Sequence, residues 1–276
     1  MRFTKMHGLG NDYVYVDGFQ ERVDDPSALA RRISDRHTGV GSDGLILILP
    51  STRAAVRMVM FNADGSRSQM CGNGIRCVAK YAADRGLAPH REMTIETDAG
   101  IKRAWCEPVD GPVHRVRIDM GPPDLSVGTL PCTLPMDRVI DHPFRAGGRE
   151  FRLTCVSMGN PHAVVFCEDV HRLDLAELGP LFENAPIFPE RINAHFARVD
   201  APDRVTVRTW ERGAGATRAC GTGACAVCVA GAVTRRTNRR ITTCLPGGEL
   251  VIEWGEDDRV HMTGPAEEVF SGEWSR

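Results

Sequence analysis

The stretches Cys71-Gly72-Asn73-Gly74 and Cys220-Gly221-Thr222-Gly223 are two copies of one motif, and they determine how the rest of the chain is interpreted. Each copy follows an apolar, strand-like run and a turn-rich loop, and each opens a segment of helical composition. Both cysteines are therefore predicted at helix N-termini, where unpaired N–H groups and the helix dipole favour anions. We expect this position to lower the pKa of each thiol below roughly 8.5. The flanking glycines should let a substrate carboxylate approach the backbone.

The two motifs lie 149 positions apart, and other parts of the chain repeat at the same interval. Asn160 follows Asn11 by 149 positions, and the strand-like run ending at Asn62 recurs as the run ending at Glu211. Three separate correspondences at the same interval of 149 positions indicate an internal duplication. A long unit present twice predicts two similar domains rather than a solenoid, whose repeats span roughly 20–50 residues.

Length and composition agree with two globular domains. The chain has 276 residues, of which 42% are hydrophobic and 25% charged, and single cores tend to divide near this size. The formal net charge of -2 argues against nucleic acid and against an acidic membrane surface as partners. No stretch fits a signal peptide or the roughly 20 apolar residues of a bilayer span. We therefore expect a cytoplasmic protein without a membrane partner, with its cysteines reduced.

The pattern along the chain is strand-rich with a few inserted helices, which predicts an α+β fold of two pseudo-symmetric domains. Helices are predicted over 26–33, from Cys71 to a C′ glycine at Gly86, over 174–183 and over 223–235. The stiff break 121–124 (Gly-Pro-Pro-Asp) divides the chain into domains 1–120 and 121–264. A second break, at Gly264 and Pro265, leaves 265–276 free to cross back to the first domain.

Other motifs have plainer interpretations. The glycine-rich loop 39–44 resembles a phosphate loop, but it lacks the Gly-Lys-Ser/Thr ending and precedes its strand, which disfavours nucleotide binding. Cys225 and Cys228 form a Cys-x-x-Cys pair inside an apolar helix with no second pair, which disfavours zinc or redox use. His162 could tune a nearby thiol or cap a strand. Glu211 could form a surface ion pair, but its equivalence to Asn62 favours a position facing a cleft.

Two thiols related by duplication suit inversion of configuration at a carbon atom. One thiolate can remove a proton from one face while the other thiol delivers a proton to the opposite face. The carbanion formed at the α-carbon of an amino acid must be stabilised, and two helix N-termini acting on its carboxylate can do this. No lysine-centred motif for a pyridoxal Schiff base stands out. These residues favour racemisation or epimerisation without a cofactor or a metal.

Three stretches of the sequence resemble the diaminopimelate epimerase family. They run from Asp64 to Cys77, from Gly159 to Val164 and from Glu211 to Gly223, and the likeness covers nearly the whole chain. The resemblance implies pyridoxal-independent interconversion of LL- and meso-diaminopimelate in lysine biosynthesis. It also implies two similar mixed α/β domains, each with a mixed or antiparallel sheet wrapped around a central helix, closing over the substrate, and a homodimer.

The resemblance also implies a role for each matching position. Cys71 and Cys220 would be the catalytic acid and base. Backbone N–H groups would hold the reacting carboxylate at Gly72, Asn73, Gly221 and Thr222. Polar side chains would recognise the distal, non-reacting centre: Asn11, Asn62, Asn160, Asn193, Glu211 and Arg212. Positions His162 and Glu211 would adjust the pKa of the thiols. A guanidinium can bind the distal carboxylate and a glutamate the distal ammonium.

The sequence departs from the family pattern at two places. Gly44 stands where some members carry Gln, although other members also have Gly there. Ala216 replaces the usual Glu of a Gly-x-Gly-Glu-Thr loop, and Arg218 places a cation two residues before Cys220. These departures leave the fine specificity and the balance between the two thiols open.

Two alternatives remain at this point. One is another two-thiol racemase of the same superfamily, of the proline or histidine type, in which the polar set would have no distal carboxylate to bind. The other is a non-catalytic or redox thiol protein, in which Cys225 and Cys228 would matter instead. We also hypothesise that Cys71 and Cys220 can form a disulfide when the cleft shuts.

Overall fold

The computed structural model describes residues 1–108 and 111–275, which divide into two compact units. The first unit runs from Met1 to Asp119 and resumes at Thr263, and the second spans Met120–Met262. The sequence predicts these divisions after residues 120 and 264. None of the described helices has the length and apolar character needed to span a bilayer.

The elements follow one another as the strand-rich pattern predicts. The chain up to the first division forms β1 (Arg2–Gly8), β2 (Asn11–Asp17), α1 (Pro26–Ser34), β3 (Gly44–Leu49), β4 (Val56–Asn62), β5 (Arg67–Ser68), α2 (Gly72–Asp84), β6 (Glu92–Thr97), β7 (Gly100–Glu107) and β8 (Arg115–Gly121). After a short 3-10 helix at Val127–Thr129 come β9 (His142–Ala146), β10 (Arg149–Ser157), β11 (Pro161–Phe166), α3 (Leu175–Glu183), β12 (Asn193–Ala201), β13 (Arg204–Glu211), β14 (Gly215–Thr217), α4 (Gly221–Val233), β15 (Arg240–Leu245), β16 (Gly248–Trp254), β17 (Val260–Pro265) and β18 (Glu267–Glu273).

The helix ends have the local chemistry that the sequence predicts. The side chain of Asp25 accepts the Ala28 N–H at 2.9 Å and so caps α1, whose first residue is a proline. Helix α2 ends at Asp84 with Arg85 as its C-cap, and Gly86 follows with φ of 68°, the left-handed conformation of a C′ glycine. The predicted end of this helix is therefore confirmed.

The helices of the two units are equal in length and lie at equivalent positions, 149 residues apart. Both ends of α3 lie 149 positions after the ends of α1, and both ends of α4 lie 149 positions after those of α2. Helix α2 is buried along its whole length except at Asp84, and α4 is buried except at Thr222 and its last two residues. Each is thus the central helix of its unit, as the fold prediction requires.

Strand pairing repeats in register as well. Strands β2 and β3 are parallel, and so are β11 and β12, whose paired residues lie 149 positions later. Strand β4 runs antiparallel to β3 with Phe61 opposite Leu45, and β13 runs antiparallel to β12 with Trp210 opposite Ala194. These equivalent sheets confirm the predicted α+β fold with an internal duplication.

Several strands were not predicted because their sequences lack an amphipathic pattern. Strand β9 contains a proline and joins β10 through Gly147 and Gly148, whose φ values of 55° and 72° form a tight hairpin turn. Strand β18 is almost entirely exposed and pairs antiparallel with β1. Backbone hydrogen bonds to a neighbouring strand, rather than side-chain burial, define both strands.

Candidate active site

Cys71 is the N-cap residue of α2 and lies among polar groups of the first unit. Its Sγ accepts the Gly74 N–H at 3.4 Å and donates to Oδ1 of Asn11 at 3.2 Å. Asn73 Nδ2 donates to the same oxygen at 3.4 Å. Asn11 Nδ2 in turn donates to Oδ2 of Asp43 at 2.7 Å. The Asp43 carboxylate therefore orients the amide that faces the thiol.

Tyr13 completes the surroundings of Cys71, although its strand-like sequence gave no sign of this. Its hydroxyl lies near enough to the side chains of Cys71 and Asn11 for both to affect its ionisation. Burial raises the pKa of Tyr13 far above its usual value, and the nearby Cys71 and Asp43 add to this effect. The phenol therefore stays neutral and can act as a hydrogen-bond donor.

Arg76 is a fully buried side chain that supports the turn at Cys71. Its guanidinium donates to the carbonyl of Gly72, to Oδ1 of Asn73 and to the carbonyl of Pro265, each at 3.0 Å. The turn is thereby tied to the segment that returns to the first unit after the second division.

Cys220 is the N-cap residue of α4, with 4% of the residue exposed. Its Sγ donates to Oε2 of Glu211 at 3.1 Å, and Oε1 of Glu211 accepts the Thr217 hydroxyl at 2.6 Å. Burial raises the pKa of Cys220 well above its usual value, and the Glu211 carboxylate raises it further. Donors from Thr222 and Gly223 lower it by less. The predicted fall in pKa is therefore wrong for Cys220, because burial and the neighbouring carboxylate outweigh the helix N-terminus.

His162 and Asn160 lie near Cys220 in the second unit. Nε2 of His162 is 2.9 Å from Oδ1 of Asn160, and Asn160 Nδ2 donates to Oγ1 of Thr222 at 3.4 Å. His162 is fully buried, and burial holds its pKa well below the usual value, with His195 adding to the shift. The imidazole is therefore neutral. Its two ring nitrogens contact Asn160 and His195.

The other predicted polar residues hydrogen-bond within their own units. Asn193 Nδ2 donates to the carbonyl of Pro161 at 2.8 Å, and its Oδ1 accepts the Arg212 N–H at 3.0 Å. Arg212 Nη1 donates to the carbonyl of Glu190 at 3.0 Å. In the first unit, Asn62 Nδ2 donates to Oγ of Ser66 at 2.9 Å. The sequence predicts these positions as binding residues, and each also hydrogen-bonds to its neighbours in the fold.

The departure at Gly44 has a steric explanation. Gly44 pairs with Asn62 across β3 and β4. A Cβ at this position would overlap the carbonyl oxygen of Phe61 and lie 2.8 Å from Cε1 of Tyr13. A larger residue would not fit at position 44 unless the backbone at Phe61 and the ring of Tyr13 both moved. The exposed Ala216 lies in β14 opposite Trp210, and Arg218 is also exposed.

The remaining thiols have core positions. Cys225 and Cys228 are fully buried in α4, and burial raises the pKa of Cys228 to about 12. All ten cysteines in the described ranges are free thiols. Within residues 1–108 and 111–275, no cluster of three or more His, Cys, Asp or Glu side chains is arranged to hold a metal ion.

Comparison with known proteins identifies relatives along the whole chain. A model of the family described as diaminopimelate epimerase matches residues 3–126 and 154–269. A diaminopimelate epimerase of Desulforudis audaxviator is 54% identical over 278 residues, covering 100% of both chains. The protein of the same name from Acetivibrio thermocellus is 51% identical over 274 residues, covering 99% of this chain and 98% of its own.

Solved structures share the fold at much lower identity. A phenazine biosynthesis protein of the PhzF family from Bacillus anthracis has a TM-score of 0.72 at 16% identity, covering 100% of this chain and 99% of its own. A probable proline racemase from Agrobacterium radiobacter has a TM-score of 0.68 at 16% identity, covering 99% and 92%. At this identity the similarity concerns the fold alone, and it agrees with a chain of two units.

Proposed function

Because the chain belongs to the diaminopimelate epimerase family, we propose that it interconverts LL- and meso-diaminopimelate with Cys71 and Cys220 as the acid and base. It is an isomerase, and the resemblance stated from its motifs is confirmed at the level of the family. The reaction places it in lysine biosynthesis. The observation that most supports the two-cysteine mechanism is that each unit presents a thiol at the N-cap of its central helix.

The proposed step moves one proton on each face of the α-carbon. Cys220, in the form that has lost its thiol proton to solvent, acts as a thiolate and takes the α-proton. The Cys71 thiol then delivers its proton to the opposite face, which leaves a Cys71 thiolate and a Cys220 thiol. The opposite direction of epimerisation exchanges these roles. The mechanism requires the two sulfurs to face one carbon from opposite sides.

The helix N-termini can stabilise the carbanion formed between the two transfers. The first N–H groups of α2 and α4 have no acceptor within their helices. We propose that those of Gly72, Asn73, Gly221 and Thr222 bind the reacting carboxylate, where negative charge develops. No pyridoxal cofactor or metal has a role in this proposal.

The distal centre supplies the specificity in this proposal. The polar side chains assigned to it are those of Asn11, Asn62, Asn160, Asn193, Glu211 and Arg212, with His162 adjusting the thiol environment. A site built to hydrogen-bond a second carboxylate and ammonium discriminates strongly against amino acids that lack them. This separates the proposal from a racemase of the proline type.

Solvent deuterium exchange tests the reaction and both thiols together. LL-diaminopimelate is incubated in D₂O with the wild-type protein, with Cys71→Ala and with Cys220→Ala. We expect deuterium incorporation with inversion for wild type and loss of inversion in both variants. The partly exposed Cys244 offers a matched Cys244→Ala control, which should retain activity. No incorporation with diaminopimelate, but incorporation with proline, would reject the substrate and retain the thiol chemistry.

Two further parts of the proposal concern the assembly and location of the protein. The family resemblance supports a homodimer acting in the cytoplasm. Light scattering should give a molar mass twice the 30.3 kDa of one chain. A mass of one chain at micromolar concentration would reject the dimer.

A further inference from the structure

Two buried histidines of the second unit lie in contact on neighbouring strands. His162 and His195 have no exposed surface, and Nδ1 of His162 lies 2.9 Å from Nε2 of His195. Nδ1 of His195 lies 3.0 Å from the hydroxyl of Thr209, which is also buried. At the other end, Nε2 of His162 lies 2.9 Å from Oδ1 of Asn160. Four side chains therefore form one continuous hydrogen-bond chain.

The protons of this chain can be assigned from its Asn160 end. An amide oxygen only accepts, so Nε2 of His162 carries the proton that Oδ1 of Asn160 receives. Burial lowers the pKa of His162, and burial lowers that of His195 to about 3, so both rings are neutral. Nδ1 of His162 then accepts from Nε2–H of His195. Nδ1 of His195 accepts in turn from the hydroxyl of Thr209.

The chain continues from Asn160 towards the reactive thiol of the second unit. Asn160 Nδ2 donates to Oγ1 of Thr222 at 3.4 Å, and this oxygen lies 3.7 Å from Sγ of Cys220. Because the Thr222 oxygen accepts from Asn160, its own hydrogen is directed away from Asn160 and can point at the sulfur. This donor opposes the effect of Glu211, which accepts from the same sulfur.

His195 also packs directly against the turn that carries Cys220. A Cβ added at Gly223 would overlap Cε1 of the His195 ring and lie 2.7 Å from its Nδ1. The position equivalent to His195 in the first unit, 149 residues earlier, is Ile46, whose side chain cannot hydrogen-bond. The hydrogen-bond chain is therefore a feature of the second unit.

We propose that His195 and Thr209 are positioning residues for Cys220, acting through His162 and Asn160 to direct the hydroxyl of Thr222 at the Cys220 sulfur. This hydrogen-bond chain keeps the hydroxyl of Thr222 directed at the Cys220 sulfur as a donor whenever Cys220 loses its proton. Its consequence for epimerisation rests on the proposed function, whereas its effect on the reactivity of the thiol does not.

Nitrogen NMR of the wild-type protein with ¹⁵N-labelled histidine tests the proton order directly. We expect both rings to be neutral Nε2–H tautomers that stay neutral through mild acid. The reverse order would make both rings Nδ1–H tautomers. The hydroxyl of Thr222 would then donate to Asn160 instead of Cys220, and this result would overturn the proposal.

Thiol alkylation tests the effect on Cys220, with Cys71 as an internal reference in every sample. Iodoacetamide modification of each cysteine is followed by mass spectrometry for Thr209→Val, His195→Leu and His195→Gln. We expect Thr209→Val and His195→Leu to slow Cys220 modification roughly 2- to 10-fold, the effect of one hydrogen bond, with Cys71 unchanged. Glutamine keeps a donor towards His162, so His195→Gln should restore most of the rate.

A matched control separates this effect from a general loosening of the second unit. Thr243 is also fully buried in the second unit and donates to the carbonyl of Leu250 at 3.2 Å. Thr243→Val should leave Cys220 modification unchanged. Equal slowing in Thr243→Val, or no slowing in Thr209→Val and His195→Leu, would overturn the proposal.

Enzyme turnover gives an independent measure of the effect of this hydrogen-bond chain. With diaminopimelate, Thr209→Val should lower kcat with KM within about two-fold, because the chain acts on the thiol and not on substrate contacts. A protein inactive on diaminopimelate but with the expected alkylation pattern would reject the proposed function and retain this inference.

Discussion

Replacing Arg76 by methionine should destabilise the protein more than the same change at Arg85, the C-cap residue of α2. Arg76 is fully buried and donates to Gly72, Asn73 and Pro265, each at 3.0 Å. Methionine keeps much of the apolar stem but supplies no donor. Oδ1 of Asn73 and the carbonyl oxygen of Pro265 are not part of the backbone hydrogen bonding of α2. In the variant they would therefore lose a donor that the helix does not replace.

The expected size follows from those two acceptors. A hydrogen bond from a charged group contributes about 1.5–3 kcal/mol, which gives about 3–6 kcal/mol for two. Methionine also removes the desolvation cost of a buried cation, which offsets part of this loss. We therefore expect about 3 kcal/mol, a large share of the roughly 5–15 kcal/mol that holds a typical domain folded.

Arg85→Met, at the C-cap of the same helix, provides the matched control. Arg85 also joins α2 to the C-terminal segment, pairing with Glu268 at 3.1 Å, but 35% of its side chain is exposed. An exposed ion pair contributes about 0–1 kcal/mol. Urea unfolding followed by circular dichroism gives both values. Equal losses for Arg76→Met and Arg85→Met, or a loss below about 0.5 kcal/mol for Arg76→Met, would refute the reasoning.

Three further changes test other parts of the site. Glu211→Gln removes the charge beside Cys220, so we expect faster iodoacetamide modification of Cys220 near pH 7 with a kcat lower by about 10²-fold or more; an unchanged alkylation rate would contradict this. Gly223→Ala gains about 1 kcal/mol of helix propensity but meets the ring of His195, so its urea midpoint should fall, and a rise would contradict the packing. Arg36 and Lys5 hold the pKa of Asp12 low against the opposing effect of burial. The stability this provides is present above the ordinary carboxyl pKa and is lost as the pH falls through the folded value. Asp12→Asn should therefore flatten the acid limb of a plot of Tm against pH, and an unchanged limb would count against the assignment.

Features set by neighbouring residues along the chain could be predicted from the sequence. The N-cap positions of Cys71 and Cys220 follow from turn-helix patterns next to each motif, and the end of α2 follows from Gly86. The duplication follows from identities at one interval. These features depend on local chemistry, which a single sequence displays directly.

Features set by packing between distant strands could not be predicted. The raised pKa of Cys220 depends on burial and on Glu211, which the end of β13 brings to the sulfur. His195 appears in the sequence as one histidine between apolar residues, a pattern more typical of a core position than of a hydrogen-bond chain. Tyr13 appears as an ordinary strand residue, yet Cys71 lies near enough to help raise the pKa of its hydroxyl. Only tertiary structure brings these groups together.

The duplicated fold gives both thiols the same backbone position but different acceptors. Cys71 donates to the neutral amide of Asn11, whereas Cys220 donates to the carboxylate of Glu211. In the proposed reaction each thiol is the base in one direction and the acid in the other, so the substrates alone set the overall equilibrium. Unequal neighbours therefore cannot bias the products. They determine which thiol holds its proton in the free enzyme, and hence which epimer that form of the enzyme can accept.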